Sequence, residues 1–378
     1  MPRFLHTADL QIGRQYAQFP QDDAVILAQE RTTVVEKIAK LAVDHAVDAV
    51  LVAGDVFDAQ TVSDRTIRKL FAATAQFAGV WVFIPGNHDA ALVESVWTRA
   101  KRLGAIPPNA QVLLVPGVYE IPSIRVAVLA APLTQRHTYN DATEFFDGAP
   151  SPDGWVRVGL AHGSVDGLLA DDIDSSNPIS ATRCASARLD YLALGDWHGM
   201  RIVNPRCAYS GTPEQDRFRG NEPGYCLLVD VEPGHEPRIQ PIHTGRYAWK
   251  TVAHTLAVAS DVDVACASLA ATKVDDVIQV QITGRTDLVG FQRLTEALGR
   301  AEAVARSLLA DTSQLQLIPT DDDIATLHAD GYLAEVIDEL RQEQSAGGAS
   351  SGTSEVAREA LAMLCAELAP STAIMEVA

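Results

Sequence analysis

Hydrophobic and polar positions follow two rhythms in the first hundred residues, and the switching between them predicts the architecture. Short apolar, β-prone runs at 4–7, 47–53 and 80–84 read as strands buried on both faces, as in a covered parallel sheet. Between the first two, residues 22–45 carry Val25, Ile26, Val34, Val35, Ile38, Leu41 and Ala42 at helical spacing, which predicts a long helix. Residues 63–77 predict a second helix, capped by Ser63 or Asp64, and a short one is expected near 93–103. Strand–helix–strand alternation of this kind signals βαβ units around a parallel sheet.

From residue 111 the texture changes. Runs at 112–115, 118–121 and 124–129 predict short strands in hairpin-like arrangement, and the polar stretch 133–153 reads as a long loop. Strands are expected at 156–160 and 191–194, separated by a polar loop at 166–178, and again at 207–209, 225–231 and 239–243. The expectation is an α/β domain over 1–245, a two-sheet sandwich with flanking helices. A small α/β unit is expected over 246–344, with strands at 249–256, 277–283 and 314–318 and helices at 288–308 and 324–342. The acids Asp321–Asp323 fit the first turn of that last helix better than a metal site. Residues 345–354 have the composition of a flexible linker. Beyond it, 355–368 predicts an amphipathic helix that docks either on its own domain or on a partner.

Composition narrows the class. With 378 residues and 47% hydrophobic content the chain has room for two cored domains. No stretch approaches the roughly 20 apolar residues of a membrane span, and the start of the sequence has no signal-peptide apolar region. Five cysteines (184, 207, 226, 266, 365) lack CxxC spacing, which favours reduced thiols and a cytoplasmic setting. A net charge of −19 disfavours strong sequence-independent DNA binding by this chain alone. The absence of a Walker A pattern excludes ATP hydrolysis by that route.

The chemistry lies at the strand ends. Each of five predicted strands runs into Asp, Asn or His: Asp9 and Gln11, then Asp55 and Asp58, then Asn87, His88 and Asp89, then His162, then Asp196 and His198. In open α/β sheets this is the rim where ligands bind. Such a set suits a two-metal hydrolytic centre, in which one carboxylate, here Asp55, bridges two cations about 3.5–4 Å apart. His88, flanked by Asp89, is placed to contact a phosphate or protonate a leaving oxygen. Asp58 reads equally as a helix or loop cap. His6 reads as a structural strand histidine, and Trp197 as packing.

The set Asp9-x-Gln11, Gly54-Asp55-x-x-Asp58, Gly86-Asn87-His88-Asp89, His162-Gly163 and Gly195-Asp196-x-His198 resembles the calcineurin-like metallophosphoesterase superfamily. The start at His6–Asp9, the Gly54–Asp58 block and the Tyr209–Pro213 segment are most similar to SbcD/YhaO-type DNA repair exonucleases. The resemblance covers roughly 1–243 and is looser beyond, where those nucleases carry a DNA-capping domain. It implies a metal-dependent phosphodiesterase acting on DNA. One cation would be held by Asp9, Gln11, Asp55 and His198, and a second by Asp55, Asn87, His162 and Asp196. His88 would be the catalytic histidine, with Asp58 and Asp89 orienting the ligands. It also implies an SMC-like ATPase partner of the SbcC type and a homodimer.

Two positions depart from the family pattern: Gln11 stands where His is usual, and Asp196 replaces the first His of Gly-His-x-His. Both exchanges swap imidazole for oxygen, which favours Mn²⁺, with Mg²⁺ as second choice, over Zn²⁺. The neutral Gln11 amide predicts one loose site beside one tight one. The competing readings are a phosphoesterase for a nucleotide or cyclic nucleotide, and a scaffold that has lost metal competence.

Overall fold

A computed structural model of the chain describes residues 1–167, 177–320, 332–346 and 352–368. The chain divides into two units, Met1–Ala248 and Trp249–Ala378. The first opens with β1 (Arg3–Thr7), α1 (Gln21–Asp44), β2 (Ala49–Ala53), α2 (Asp64–Ala73), β3 (Val80–Ile84), α3 (Val96–Arg102) and β4 (Ala110–Val112). The strands β1 to β4 pair in parallel, with registers such as Thr7↔Val52 and Ala53↔Ile84. Two later strands, β13 (Tyr225–Asp230) and β14 (Arg238–His243), extend the sheet antiparallel beyond β1, giving the order β14-β13-β1-β2-β3-β4.

A second sheet has the order β11-β12-β10-β7-β6-β5. Its centre is parallel: β6 (Val126–Ala131), β7 (Val156–His162), β10 (Tyr191–Gly195) and β12 (Cys207–Tyr209). Its edges, β5 (Gly117–Ile121) and β11 (Arg201–Asn204), run antiparallel to their neighbours. The short strands β8 (Ser164–Val165) and β9 (Pro178–Ile179) pair apart from it, and the single-turn helix α4 (Arg183–Ser186) precedes β10.

Strand alternation sorts the core into layers. Phe4, Leu51 and Val82 of the first sheet meet Val128, Val158, Leu160 and Ala193 of the second, forming one buried layer between them. The opposite face of the first sheet, with Leu5, Val50 and Val52, packs on Val35 and Ile38 of α1, Ile67 and Leu70 of α2 and Trp97 of α3. Leu129, Ala161, Leu192 and Leu194 cover the far face of the second sheet with Phe146, Cys184 and Cys207. This is the expected α/β sandwich with flanking helices. The α2 cap is Ser63, whose hydroxyl accepts from Thr66 N at 3.1 Å.

His6 lies in the inter-sheet layer, fully buried, its Nδ1 2.8 Å from the Tyr191 hydroxyl and its Nε2 3.1 Å from the Leu194 carbonyl. Burial pushes its pKa down to about 3. The folded protein therefore keeps His6 neutral where the unfolded chain protonates it below about 6.5. This contribution is constant above about 6.5 and is lost progressively as pH falls from there towards 3. Urea unfolding at pH 7 and pH 5 should show His6→Gln removing ~2 kcal/mol from the acid-side loss of stability. An identical loss in both proteins would assign the acid sensitivity elsewhere.

The second unit contains β15 (Ala248–Leu256), α5 (Ala259–Ala270), β16 (Asp276–Thr286), α6 (Leu288–Val304) and β17 (Ser307–Leu317), with sheet order β15-β16-β17. Its core joins Leu256, Ile278, Val280 and Ile282 to Val262, Leu269, Leu294 and Ala297. The helix expected to 308 stops at Val304. Ser307 and Leu308 instead pair with Val277 and Ile278, so non-local sheet pairing overrides the local helical pattern. Helix α5, rich in small residues, was not among the expected elements. Two helices follow, α7 (Tyr332–Ala346) and α8 (Gly352–Leu368). The part of the expected 324–342 helix before 332, and residues 347–351 of the expected linker, lie outside the described residues. Ile337 and Leu340 of α7 pack with Leu361, Leu364 and Cys365 of α8, while Val356 and Met363 stay exposed. No helix among the described residues is long and apolar enough to cross a membrane.

Candidate metal centre

The five loops that follow β1, β2, β3, β7 and β10 leave the C-terminal ends of parallel strands and gather at one rim. The first two are zipped together: Asp9 N donates to Gly54 O (3.1 Å), Gln11 N to Asp55 O (3.0 Å) and Ile12 N to Val56 O (2.9 Å). Asp9, Gln11, Asp55, Asp196 and His198 all have positive φ, at 52°, 49°, 50°, 108° and 60°. These are half of the ten non-glycine residues with that backbone among the described residues, and each stores local strain that the surroundings must hold. Two glycines let the loops close. A Cβ on Gly86 would stand 2.2 Å from Asp55 Oδ1, and one on Gly54 2.3 Å from His162 Nδ1.

Asp9, Asp55 and His162 are buried, and each offers an atom within 4.8 Å of the others. His162 Nδ1 lies 2.9 Å from the Ala53 carbonyl, an N–H donation that turns Nε2 towards the site. There Nε2 is 3.1 Å from Asn87 Oδ1, 3.5 Å from Asp55 Oδ1 and 3.6 Å from Asp196 Oδ1. Burial alone would lower the His162 pKa, but Asp55, Asp196 and Asp9 outweigh it and raise it to about 9. Burial, with Asp55 and Asp196 adding to it, pushes the Asp9 carboxyl up in turn, against His198 and His162.

The amides complete the pattern. Gln11 Nε2 donates to Asp55 Oδ2 at 2.8 Å, and Gln11 Oε1 is buried with no hydrogen-bond partner. The Asn87 amide lies 3.0 Å from both Asp55 oxygens and 3.1 Å from His162 Nε2: with its nitrogen turned to them it donates to Asp55, and with its oxygen turned there it offers a further ligand atom. An oxygen-rich donor set with one or two imidazoles fits a hard divalent cation such as Mn²⁺ or Mg²⁺.

Asp196 and His198 stand outside the tight group. The Asp196 main-chain N–H donates to both Asp9 oxygens at 3.2 Å, and its carboxylate accepts from Ser164 Oγ at 3.1 Å. The His198 ring lies between Asp216, with Nδ1–Oδ2 at 3.3 Å, and the Arg217 guanidinium, 2.9 and 3.0 Å from its two nitrogens. Burial would raise the Asp216 pKa, but His198, Arg31 and Arg217 hold it well below the usual carboxylate range.

His88 is half-buried. Its main-chain N–H donates to Asp55 Oδ1 at 2.9 Å, its Nδ1 is 2.8 Å from the Asp58 carbonyl oxygen, and its Nε2 is 3.9 Å from Asp55 Oδ2. Asp58 thus meets His88 through its main chain, while its carboxylate pairs with Arg14 at 3.2 Å. The buried Asp89 carboxylate accepts from Gly86 N (2.7 Å), Val56 N (3.0 Å) and Phe57 N (3.1 Å), stapling the second loop to the third. Burial and the nearby Asp55 raise its pKa to about 7.

The groups that hold the loops lie outside the sequence motifs. The fully buried Arg31 guanidinium donates to Leu10 O (2.9 Å), Asp9 O (2.8 Å), Thr212 Oγ1 (2.8 Å) and Glu214 O. Thr212 Oγ1 also donates to Asp9 O at 2.8 Å, and Thr212 N to His198 O at 3.1 Å. The Tyr209 hydroxyl bridges Gly163 O and Val165 N beside His162. Arg31 carried a signal, an arginine on the apolar face of α1 between Leu27 and Val34. Asp216 carried none.

Residues 2–200 match the calcineurin-like phosphoesterase model, and the chain belongs to that family. The motifs at the strand ends pointed to this same family. The chain is 26% identical over 273 residues to the DNA double-strand break repair protein Mre11 of Methanosarcina mazei, covering 66% of this chain and 39% of that protein. It is 28% identical over 265 residues to the protein of the same name from Aeropyrum pernix, covering 65% and 62%. A third, from Methanosarcina acetivorans, is 26% identical over 269 residues, covering 66% and 40%. The chain therefore spans less than two thirds of the length of each of these relatives.

Proposed function

We propose that the protein is a metal-dependent phosphodiesterase acting on DNA, of the SbcD-like kind. The observation that carries this reading is the convergence of the buried Asp9, Asp55 and His162, with the Asn87 amide against Asp55 and a Gln11 oxygen left unpartnered beside them. The repair-protein relatives support the choice of DNA over a small nucleotide. Asp9, Gln11, Asp55 and His198 would hold one cation, and Asp55, Asn87, His162 and Asp196 the other, with Mn²⁺ favoured. Two such ions supply charge neutralisation on the phosphoryl group and a more acidic water. His162 is fixed by the Ala53 carbonyl so that Nε2 stays available as a ligand. His88, held at Nδ1 by the Asp58 carbonyl, offers Nε2 to the phosphate or to the leaving oxygen.

The acidic chain gains its DNA affinity through an SMC-like ATPase partner of the SbcC type, with α8 as the docking element and a cytoplasmic setting. The second unit guides or gates the DNA, and the active form is a homodimer. The second reading, a scaffold without metal competence, draws on Gln11 and Asp196 alone.

End-labelled linear duplex and single-stranded DNA, incubated with Mn²⁺, Mg²⁺ or EDTA, tests the proposal. Cleavage should require metal and fall about 10²-fold or more in His88→Ala. Persistence of cleavage in EDTA would refute a metal-dependent nuclease, and hydrolysis of small diesters only, even with the partner present, would refute DNA as substrate. Restoring imidazole with Gln11→His should tighten the looser Mn²⁺ site about 10-fold, read by calorimetric titration. Unchanged affinity would mean that Gln11 is no ligand.

A further inference from the structure

Two arginines stand at the rim of the metal centre without a part in the hydrolytic step. Arg14 lies in the loop after β1, and Arg217 in the stretch after β12. Both converge on one carboxylate: Asp216 Oδ2 is 3.4 Å from Arg14 Nη1 and 3.2 Å from Arg217 Nη2. Each is also tied to an outer group of the centre. Arg14 Nη1 is 3.2 Å from Asp58 Oδ1, and the Asp58 carbonyl holds His88. Arg217 Nη2 is 2.9 and 3.0 Å from the two His198 ring nitrogens. The Asp216 side chain is 1% exposed, against 24% for Arg14 and 36% for Arg217. The carboxylate is sealed, and the arginines remain reachable. Arg14 is anchored through Nη1, and Arg217 through Nε and Nη2, which leaves Arg14 Nη2 and Arg217 Nη1 with no protein acceptor among the described residues. A planar guanidinium held along one edge keeps its remaining donors in a fixed direction, an arrangement that suits phosphate. The chain as a whole carries −19, so donors fixed in place, rather than overall charge, must attract such an anion.

We infer that Arg14 and Arg217 form a fork for a second phosphate, the one next to the phosphate under attack, so that the centre is built for a strand of consecutive phosphodiesters. The inference rests on the phosphodiesterase reading above. The cations and His88 address the phosphate being cleaved. The arginines stand one residue further out, Arg14 behind Asp58 and Arg217 against His198. An isolated diester has nothing to offer them. A nucleotide strand places another phosphate beside each scissile one, and charge-assisted hydrogen bonds to it set the strand's register over the cations. The fork thereby separates a polynucleotide from a nucleotide-sized diester by a difference in binding.

The test is calorimetric titration of the full chain in saturating Mn²⁺ with thymidine 3′,5′-bisphosphate and with the 3′- and 5′-monophosphates, beside turnover of bis(p-nitrophenyl) phosphate. The unaltered protein should bind the bisphosphate about 10-fold more tightly than the better monophosphate. Arg14→Gln and Arg217→Gln should each shrink that ratio towards one. Equal affinity for the bisphosphate and the better monophosphate in the unaltered protein would overturn the assignment. So would a loss in the variants that falls equally on bisphosphate and monophosphates, the mark of a displaced Asp58 or His198. The preference without any turnover of the small diester would count against hydrolysis and for the fork. Because the decisive comparison uses the unaltered chain, a folding defect in either variant does not blunt it.

Discussion

Asp55→Asn should lower phosphodiester hydrolysis by about 10³-fold or more while leaving the fold intact. The loss follows from position. Asp55 is the carboxylate with four groups of the centre against it: Asn87 at 3.0 Å, Gln11 at 2.8 Å, His162 at 3.5 Å and the His88 main-chain N–H at 2.9 Å. Removing one preorganised group that stabilises developing charge costs about 10²–10³ in rate, and removing the bridge between two cations should cost at least the upper figure. Stability should hold or rise, because the metal-free protein crowds Asp9, Asp55 and Asp196 around one imidazole. Bis(p-nitrophenyl) phosphate turnover with Mn²⁺, beside a thermal melt, reads both halves. Undiminished turnover would remove Asp55 from the bridging position.

The second large effect belongs to a residue that touches no reacting atom. Arg31→Met should cost about 4 kcal/mol of stability, since it strips donors from the buried carbonyls of Asp9, Leu10 and Glu214 at once. It should also weaken Mn²⁺ binding about 10-fold or more, because Asp9 keeps only the Thr212 hydroxyl on its carbonyl. Arg31→Lys should recover only part of either, as an ammonium cannot reproduce a planar fork of donors. The urea midpoint and a Mn²⁺ titration check the pair. If Arg31→Met kept the native midpoint, the clamp would be incidental.

What the sequence made legible was what local pattern encodes. The apolar runs of β1, β2, β3, β7 and β10, and the polar residues that end them, could be read because a buried parallel strand must be apolar and its C-terminal end must turn. Asp9, Asp55, Asn87 and His162 were visible on that ground. The sequence did not reveal what depends on distant pairing. Asp58 meets His88 through a carbonyl, which no side-chain motif announces. Asp216 and Arg217 reach His198 from a loop 18 or 19 residues further on, and Arg31 reaches Glu214 across 183 positions. Strand β17 took Ser307 and Leu308 from a helical pattern because β16 offered them a register. The positive φ values at five candidate ligands were likewise hidden, since Asp, His and Gln do not advertise left-handed backbone as glycine does.

The proposed hydrolytic centre requires cation binding bridged by Asp55. Calorimetric titration of the metal-free protein with Mn²⁺ tests that most directly. Two ions per chain are expected, one held more tightly than the other, with the pair reduced to at most one weak ion in Asp55→Asn. No binding by the unaltered chain, or two ions retained by Asp55→Asn, would contradict it.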